Sequence, residues 1–170
     1  MYKGLPVNTN FFKSWNRNMA YVLGFIVADG CICESNIKSE KVFRKKYCLN
    51  ITSKDKDHLE NIKRVMAAEQ RITMKGNGLS KKKVYSALQI CIPEIYFDLL
   101  KLGICPRKSL NLKPIFVPDR YFADFARGFF DGDGTVYIYQ VNKTFQIKAG
   151  FIGYSRPFLE DFNNKLYAIN

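Results

Sequence analysis

The chain has 170 residues, 47% of them hydrophobic and 15% aromatic, enough for the packed core of one large or two small domains and too much for a disordered chain. Its 27 Lys and Arg against 15 Asp and Glu give a formal charge of +12, which makes a polyanion the expected partner, nucleic acid ahead of an anionic membrane surface. The longest apolar run, Met19 to Ala28, is about half of a bilayer span, and residues 1–18 hold no hydrophobic signal-peptide core, so a soluble protein of the cytoplasm or an organelle matrix is expected.

In chain order, a polar arm over residues 1–17 leads into an apolar helix ending "MAYVLGFIVADG", Met19 to Gly30. Cys31 to Ser53 then alternates as a hairpin, with Tyr47, Leu49 and Ile51 on one face and Arg44, Lys46, Cys48, Asn50 and Thr52 on the other. A helix over about Asp55 to Ala68 follows, then a strand from Arg71 to Lys75, a turn at Gly76 to Gly78 and a strand from Val84 to Ile92. Pro93 suits the first turn of a helix that Gly103 caps. The aperiodic stretch from Gly103 to Arg120, with its three prolines, reads as a linker. Beyond it, "ARGFFDGDG" closes a second helix, Val136 to Phe151 alternates again, and a last helix runs toward Asn170.

These elements repeat. Gly24, Phe25 and Asp29 recur 104 residues on as Gly128, Phe129 and Asp133, and Leu49 to Ile62 corresponds to Ala149 to Phe162 at an offset of 100, the second hairpin being four residues shorter. The units expected are residues 1–113, with the linker starting at about 103, and a shortened copy over 114–170 that lacks about one hairpin and one helix.

Gly24 and Ala28, like Gly128 and Gly132, lie four apart and give each helix a face of small side chains, so the two can meet backbone to backbone. That contact would set Asp29 beside Asp133, each at a helix C-terminus, where like charge and the helix dipole both disfavour ionisation. An oxygen-loving divalent cation, Mg²⁺ or Mn²⁺, would relieve both. The five cysteines include no C-x-x-C pair and His58 is the single histidine, which argues against a zinc site and for reduced, packing thiols. "DGDGTV" at Asp131 is not an EF-hand, because the loop's first carboxylate and last Glu would fall on Phe129 and Gln140.

The stretches "VLGFIVADG" (Val22 to Gly30) and "ARGFFDGDG" (Ala126 to Gly134) resemble the two signature motifs of the LAGLIDADG homing endonucleases, and the hairpins and the "GICPRKS" segment are similar to other parts of that family. The resemblance implies an α+β fold, an αββαββα unit followed by a truncated αββα repeat, with the motif helices at a pseudo-two-fold interface and the sheets straddling duplex DNA. It implies site-specific cleavage of both DNA strands with Mg²⁺, held by Asp29 and Asp133 with the backbone carbonyls of Ala28 and Gly132. It also implies a lysine near the scissile phosphates, for which Lys108 is the match. Val27 stands where the family usually has an acid, and Asp131 keeps that acid.

An antiparallel ribbon fits the major groove. The outward faces would present Ser35, Arg44, Lys46, Asn50 and Thr52, then Arg71, Thr73, Lys75, Tyr85 and Gln89, and in the second repeat Tyr137, Tyr139, Gln146 and Lys148, to a long asymmetric double-stranded site. Lys81, Lys82 and Lys83 suit phosphates. Two alternatives stay open: a nucleic-acid-binding protein that does not cut (an intron RNA maturase or a transcription regulator), and an inactive relic. A monomer is expected, with association through the shortened unit as the other possibility.

Overall fold

The computed structural model describes residues 5–39, 42–77 and 80–169; within these, the side chains at 38, 39, 42, 43, 77, 80–84 and 110 lie outside the description. Helix α1 (Arg17–Asp29) starts where the Asn16 side chain accepts a hydrogen bond from the Met19 amide at 2.9 Å. Strands β1 (Gly30–Ser39) and β2 (Val42–Ser53) form the first hairpin, and α2 (Lys56–Val65) opens with Asp55 accepting from the His58 amide at 3.0 Å. Strands β3 (Ile72–Asn77) and β4 (Ser80–Ile90) follow, then α3 (Pro93–Lys101), which has proline in its first turn and ends near Gly103 in the left-handed region.

The segment from Gly103 to Arg120 holds a short helix, α4 (Lys108–Asn111), which aperiodic sequence did not signal. Helix α5 (Asp119–Asp133), the hairpin β5 (Gly134–Val141) and β6 (Thr144–Phe151), and α6 (Arg156–Ile169) make the second, shorter repeat.

The four-stranded sheet is antiparallel throughout in the order β1-β2-β4-β3, and β5 pairs with β6 as a separate two-stranded ribbon. Because alternate side chains take opposite faces, the register puts Ile32, Leu49, Ile51, Leu88 and Ile90, all shut from solvent, on the face toward the helices. The core is continuous through α1 and α5, whose Leu23, Phe25, Ile26, Phe125 and Phe129 are buried with it.

One reading of the sequence is corrected here. Cys48 and Cys91 form a disulfide between β2 and the end of β4, so these two are not reduced packing thiols; Cys31, Cys33 and Cys105 are free. The register that pairs Leu49 with Ile90 makes Cys48 and Cys91 the next cross-strand neighbours, with Cα atoms 4.0 Å apart.

Candidate active site and nucleic-acid interface

The two motif helices cross at their glycines. A Cβ placed on Gly24 would collide with the Phe125 carbonyl and lie 2.9 Å from the Phe129 amide nitrogen; one on Gly128 would collide with the Tyr21 carbonyl and lie 3.0 Å from the Phe25 amide nitrogen. Only glycine allows this approach, and it brings the C-termini of α1 and α5 together. At Gly132 an added Cβ would strike the Ala28 Cβ and stand 3.6 Å from Asp29 Oδ2, so the end of one helix lies against the carboxylate of the other. All four small residues thus sit at the crossing.

The electrostatics follow from that geometry. Burial, and then the negative charge of Asp133, push the Asp29 carboxyl from its ordinary 3.8 up to about 6, while Lys108 pulls it back. Asp133 is also raised, by burial, again against the pull of Lys108. Both carboxylates are only partly buried, so water and solutes reach them.

Lys108 is the group that links them. Its side chain is 6% exposed, and its ammonium donates to the carbonyl of Val27 and, at 3.0 Å, to that of Ala28. Those carbonyls belong to the last turn of α1, whose acceptors lack helical partners. Arg107, in the left-handed region at φ 57°, makes the turn into α4 that starts with Lys108. Burial lowers the Lys108 pKa, and Asp133, Cys31 and Asp29 oppose it. A solvated linker lysine is therefore not what the structure shows. The Ala28 carbonyl, expected beside a cation, already accepts a hydrogen bond from one.

From the tip of α1 a groove of about 370 Å³ opens along Asp29, Asp131, Gly132, Thr52, Ser53 and Tyr85, joining the Asp29 carboxylate to the sheet. The outward face of the sheet carries the expected polar set in register: Ser35 opposite Lys46, Asn50 opposite Gln89, and Lys75 opposite Tyr85, with Thr52 and Thr73 both opposite Ala87. Arg44 is exposed on the same face, opposite Ile37. Gln89 donates to Asn50 Oδ1 at 2.6 Å, and Asn50 donates to Cys33 Sγ at 3.2 Å. Arg71 is exposed just before β3. Lys81, Lys82 and Lys83 fall on β4, but their side chains lie outside the described residues, as does Gly78 of the expected turn.

In the second ribbon Tyr137 pairs with Lys148 and Tyr139 with Gln146. The Tyr139 hydroxyl donates to Gln146 Oε1 at 2.5 Å, and the Lys148 ammonium lies 4.7 Å from the Tyr139 ring centroid.

Sequence reasoning missed a further tie between the helices. Tyr21 Oη donates to Asp131 Oδ2 at 2.5 Å, and the Arg127 guanidinium stands 4.7 Å from the centroid of the same ring. Burial, together with the Asp131 carboxylate, drives the Tyr21 hydroxyl well above its ordinary value. The available signal was spacing: Tyr21, Gly24 and Ala28 share one helical stripe.

No family model and no curated protein matches the sequence. Among solved structures, I-SmaMI bound to an uncleaved DNA target in the presence of calcium ions is similar, with a TM-score of 0.51 and 16% identity over 80% of this chain and 66% of that one. A point mutant of I-SmaMI gives 0.50 and 18% identity over 79% and 66%. The LAGLIDADG meganuclease I-CpaMI bound to uncleaved DNA gives 0.47 and 14% over 80% and 66%. This chain therefore spans 66% of the length of these structures. The architecture is that of the LAGLIDADG homing endonucleases, an αββαββα unit followed by αββα with the motif helices packed on each other.

Proposed function

We propose that the chain is a metal-dependent, site-specific endonuclease of the LAGLIDADG type that hydrolyses both strands of a long asymmetric duplex site. The observation that carries this reading is the pair of half-buried carboxylates at two helix tips in backbone contact, beside a buried lysine, with Asp29 opening to a groove that runs onto a polar sheet face.

Among the described residues no group of three His, Cys, Asp or Glu side chains could hold a metal ion. The donors present still suit Mg²⁺ or Mn²⁺, since Mg²⁺ is commonly held by one or two carboxylates, with water and substrate phosphate completing the shell. The raised pKa of Asp29 is the cost first of burial and then of a second acid close by, and a divalent cation would supply the missing countercharge. In this reading Asp29 and Asp133 hold the cations, with the Gly132 and Ala28 carbonyls as companion ligands.

When bound, the ion would lower the pKa of attacking water and stabilise charge on the phosphate. The protein's own share is positional. The glycine crossing fixes the separation of the two acids, Lys108 brings a positive charge that acts on both, and the outward side chains of the sheet set the register of the duplex. Tyr21 and Asp131 hold the crossing from its other flank.

The test is to incubate the protein with a randomised duplex library and Mg²⁺ and sequence the ends. A recurrent long site is expected; Asp29→Asn and Asp133→Asn should each abolish double-strand cleavage with binding largely kept, and full cutting by both would refute the assignment. A second reading, nucleic-acid binding without cleavage as in an intron RNA maturase or a transcription regulator, is favoured by one observation: Lys108 already occupies the Ala28 carbonyl. Affinity for intron RNA above that for duplex DNA, unaltered by Mg²⁺, would select it. No helix among the described residues is long and apolar enough to cross a membrane, and an intracellular, soluble, monomeric protein of two units, 1–113 and 114–170, belongs to the same proposal.

A further inference from the structure

Three of the cysteines stand in one row across the four-stranded sheet. Cys33 on β1 is the direct cross-strand partner of Cys48 on β2, and on its other side Cys48 is bridged to Cys91 at the end of β4. Direct partners in an antiparallel pair share a face, with Cβ atoms about 4.5–5.5 Å apart. The free thiol of Cys33 and the Cys48–Cys91 bridge therefore lie on the same face of the sheet. Displacement at sulfur proceeds in line, and the row across β1, β2 and β4 gives the order it needs: attacking thiol, central sulfur, leaving sulfur. Cys33 is exposed, whereas Cys48 is 3% exposed.

We infer that Cys33 is a thiol–disulfide exchange site, which opens the Cys48–Cys91 bridge and takes Cys48 as its own partner. The Cys33 thiolate attacks Cys48 Sγ; a Cys33–Cys48 bond forms as the Cys48–Cys91 bond breaks, and Cys91 leaves as a thiolate that takes up the proton Cys33 gave to water. One bridge replaces another with no net oxidation. β2 is joined to β4 before the exchange and to β1 after it, and both strands already flank β2, so the backbone pairing serves either bridge. The exposed Cys33 also gives a small-molecule thiol or disulfide a way into the row that the buried Cys48 does not offer.

The other free thiols are placed differently. Cys31 is exposed but stands opposite Asn50 rather than a cysteine, and Cys105 lies beyond α3, against the Asn111 carbonyl. The exchange also reaches the polar network of the same face. Asn50 donates to Cys33 Sγ at 3.2 Å and accepts from Gln89 at 2.6 Å, so turning Cys33 Sγ toward Cys48 takes that acceptor from Asn50. These grounds are sheet register and sulfur chemistry, and they hold whether or not the chain cleaves DNA.

The test is to treat the intact protein with oxidised glutathione at about pH 8, near the ordinary thiol pKa, denature it in excess alkylating agent, and map the digest by mass spectrometry. Two crosslinks are expected in the wild type: Cys48 to Cys91, and Cys48 to the peptide carrying Cys31 and Cys33, the second accompanied by alkylated Cys91. Cys33→Ser should lose the second crosslink and Cys31→Ser should keep it. Cys91→Ser should move the bridge wholly to Cys33–Cys48, with oxidised glutathione reduced to two thiols as the bond forms. In ¹⁵N spectra of Cys91→Ser the Asn50 side-chain amide should shift on oxidation, and the shift should vanish when Cys33→Ser is added. A second crosslink that survives Cys33→Ser would overturn the inference. So would Cys48 alkylated or joined to Cys31 or Cys105 in Cys91→Ser, or a wild type whose Cys33 is wholly alkylated or bound to glutathione.

Discussion

Asp29 provides the sharpest test of the carboxylate pair, through stability rather than cleavage. In the folded chain its carboxyl titrates at about 6 against an ordinary 3.8, so between those values the folded state binds the proton more tightly than the unfolded one. Stability therefore rises as pH falls through that window, and the full penalty is felt above about pH 6. Solvent reaches this partly exposed group, and after discounting for screening the penalty at neutral pH is about 1 kcal/mol. Asp29→Asn removes the charge with almost no change of shape. It should raise Tm by about 2–4 °C at neutral pH, by progressively less as the pH is lowered, and by nothing well below pH 3.8, where wild-type Asp29 is protonated in both states. The double variant with Asp133→Asn should gain less than the sum, because the mutual repulsion is counted once. Mg²⁺ should raise the wild-type Tm and do so much less for Asp29→Asn, since a cation needing both acids stabilises only the protein that has them. The assay is calorimetry over a pH series. A variant equally destabilised at every pH, or stabilised by an amount independent of pH, would refute the view that the two acids repel across the helix tips.

Three further outcomes are expected. Gly24→Ala places a methyl against the Phe125 carbonyl and should cost about 2–3 kcal/mol by denaturant titration, whereas Gly150→Ala, whose added Cβ meets nothing within 4 Å, should be nearly silent. Lys108→Met keeps the apolar stem but leaves the Val27 and Ala28 carbonyls without their donor, at about 1–3 kcal/mol; it also removes the charge that holds Asp29 down, so the carboxyl should titrate above about 6 by NMR. If roughly six phosphates are neutralised, log K for duplex binding should fall against log salt with a slope of about −5, and a slope shallower than about −2 by fluorescence anisotropy would remove the proposed interface.

What was legible in the sequence is what short-range periodicity encodes. Small residues four apart on two apolar helices, each closed by Asp-Gly, suffice to predict a backbone-to-backbone crossing with paired acids, and strict alternation from Arg44 to Thr52 sorts the sheet into a core face and a polar face. What escaped depends on contacts between distant segments. Lys108 sits in an aperiodic, proline-rich stretch where nothing local distinguishes a buried cation from a solvated one; its burial follows from α4 running past the end of α1, 80 residues earlier in the chain. The Cys48–Cys91 bridge depends on how β2 registers against β4, which cysteine spacing does not reveal. The Tyr21–Asp131 hydrogen bond spans 110 residues and becomes visible only once the helix faces are paired.

The two-stranded ribbon β5-β6 and the candidate site are separate matters in this fold. α5 is held from beneath by an aromatic cluster in which the Phe129 ring stacks on Phe151 and meets Phe158 and Phe162 edge-on, with centroids 5.2–5.3 Å apart. Those partners come from β6 and α6, which are present, so Asp133 is fixed without help from any further strand. The apolar side chains left open, Val136, Ile138, Phe145 and Ile147, lie farther along the ribbon, where side chains of the opposite face would meet DNA. Among the described residues the first sheet has four strands and the second ribbon has two. On the proposed function, duplex binding rests on phosphate contacts and base-edge readout, to which the acid pair contributes nothing. On that reading, cleavage chemistry and site recognition should thus be separable, the first depending on the glycine crossing and the second on the outward faces of the sheet and the ribbon.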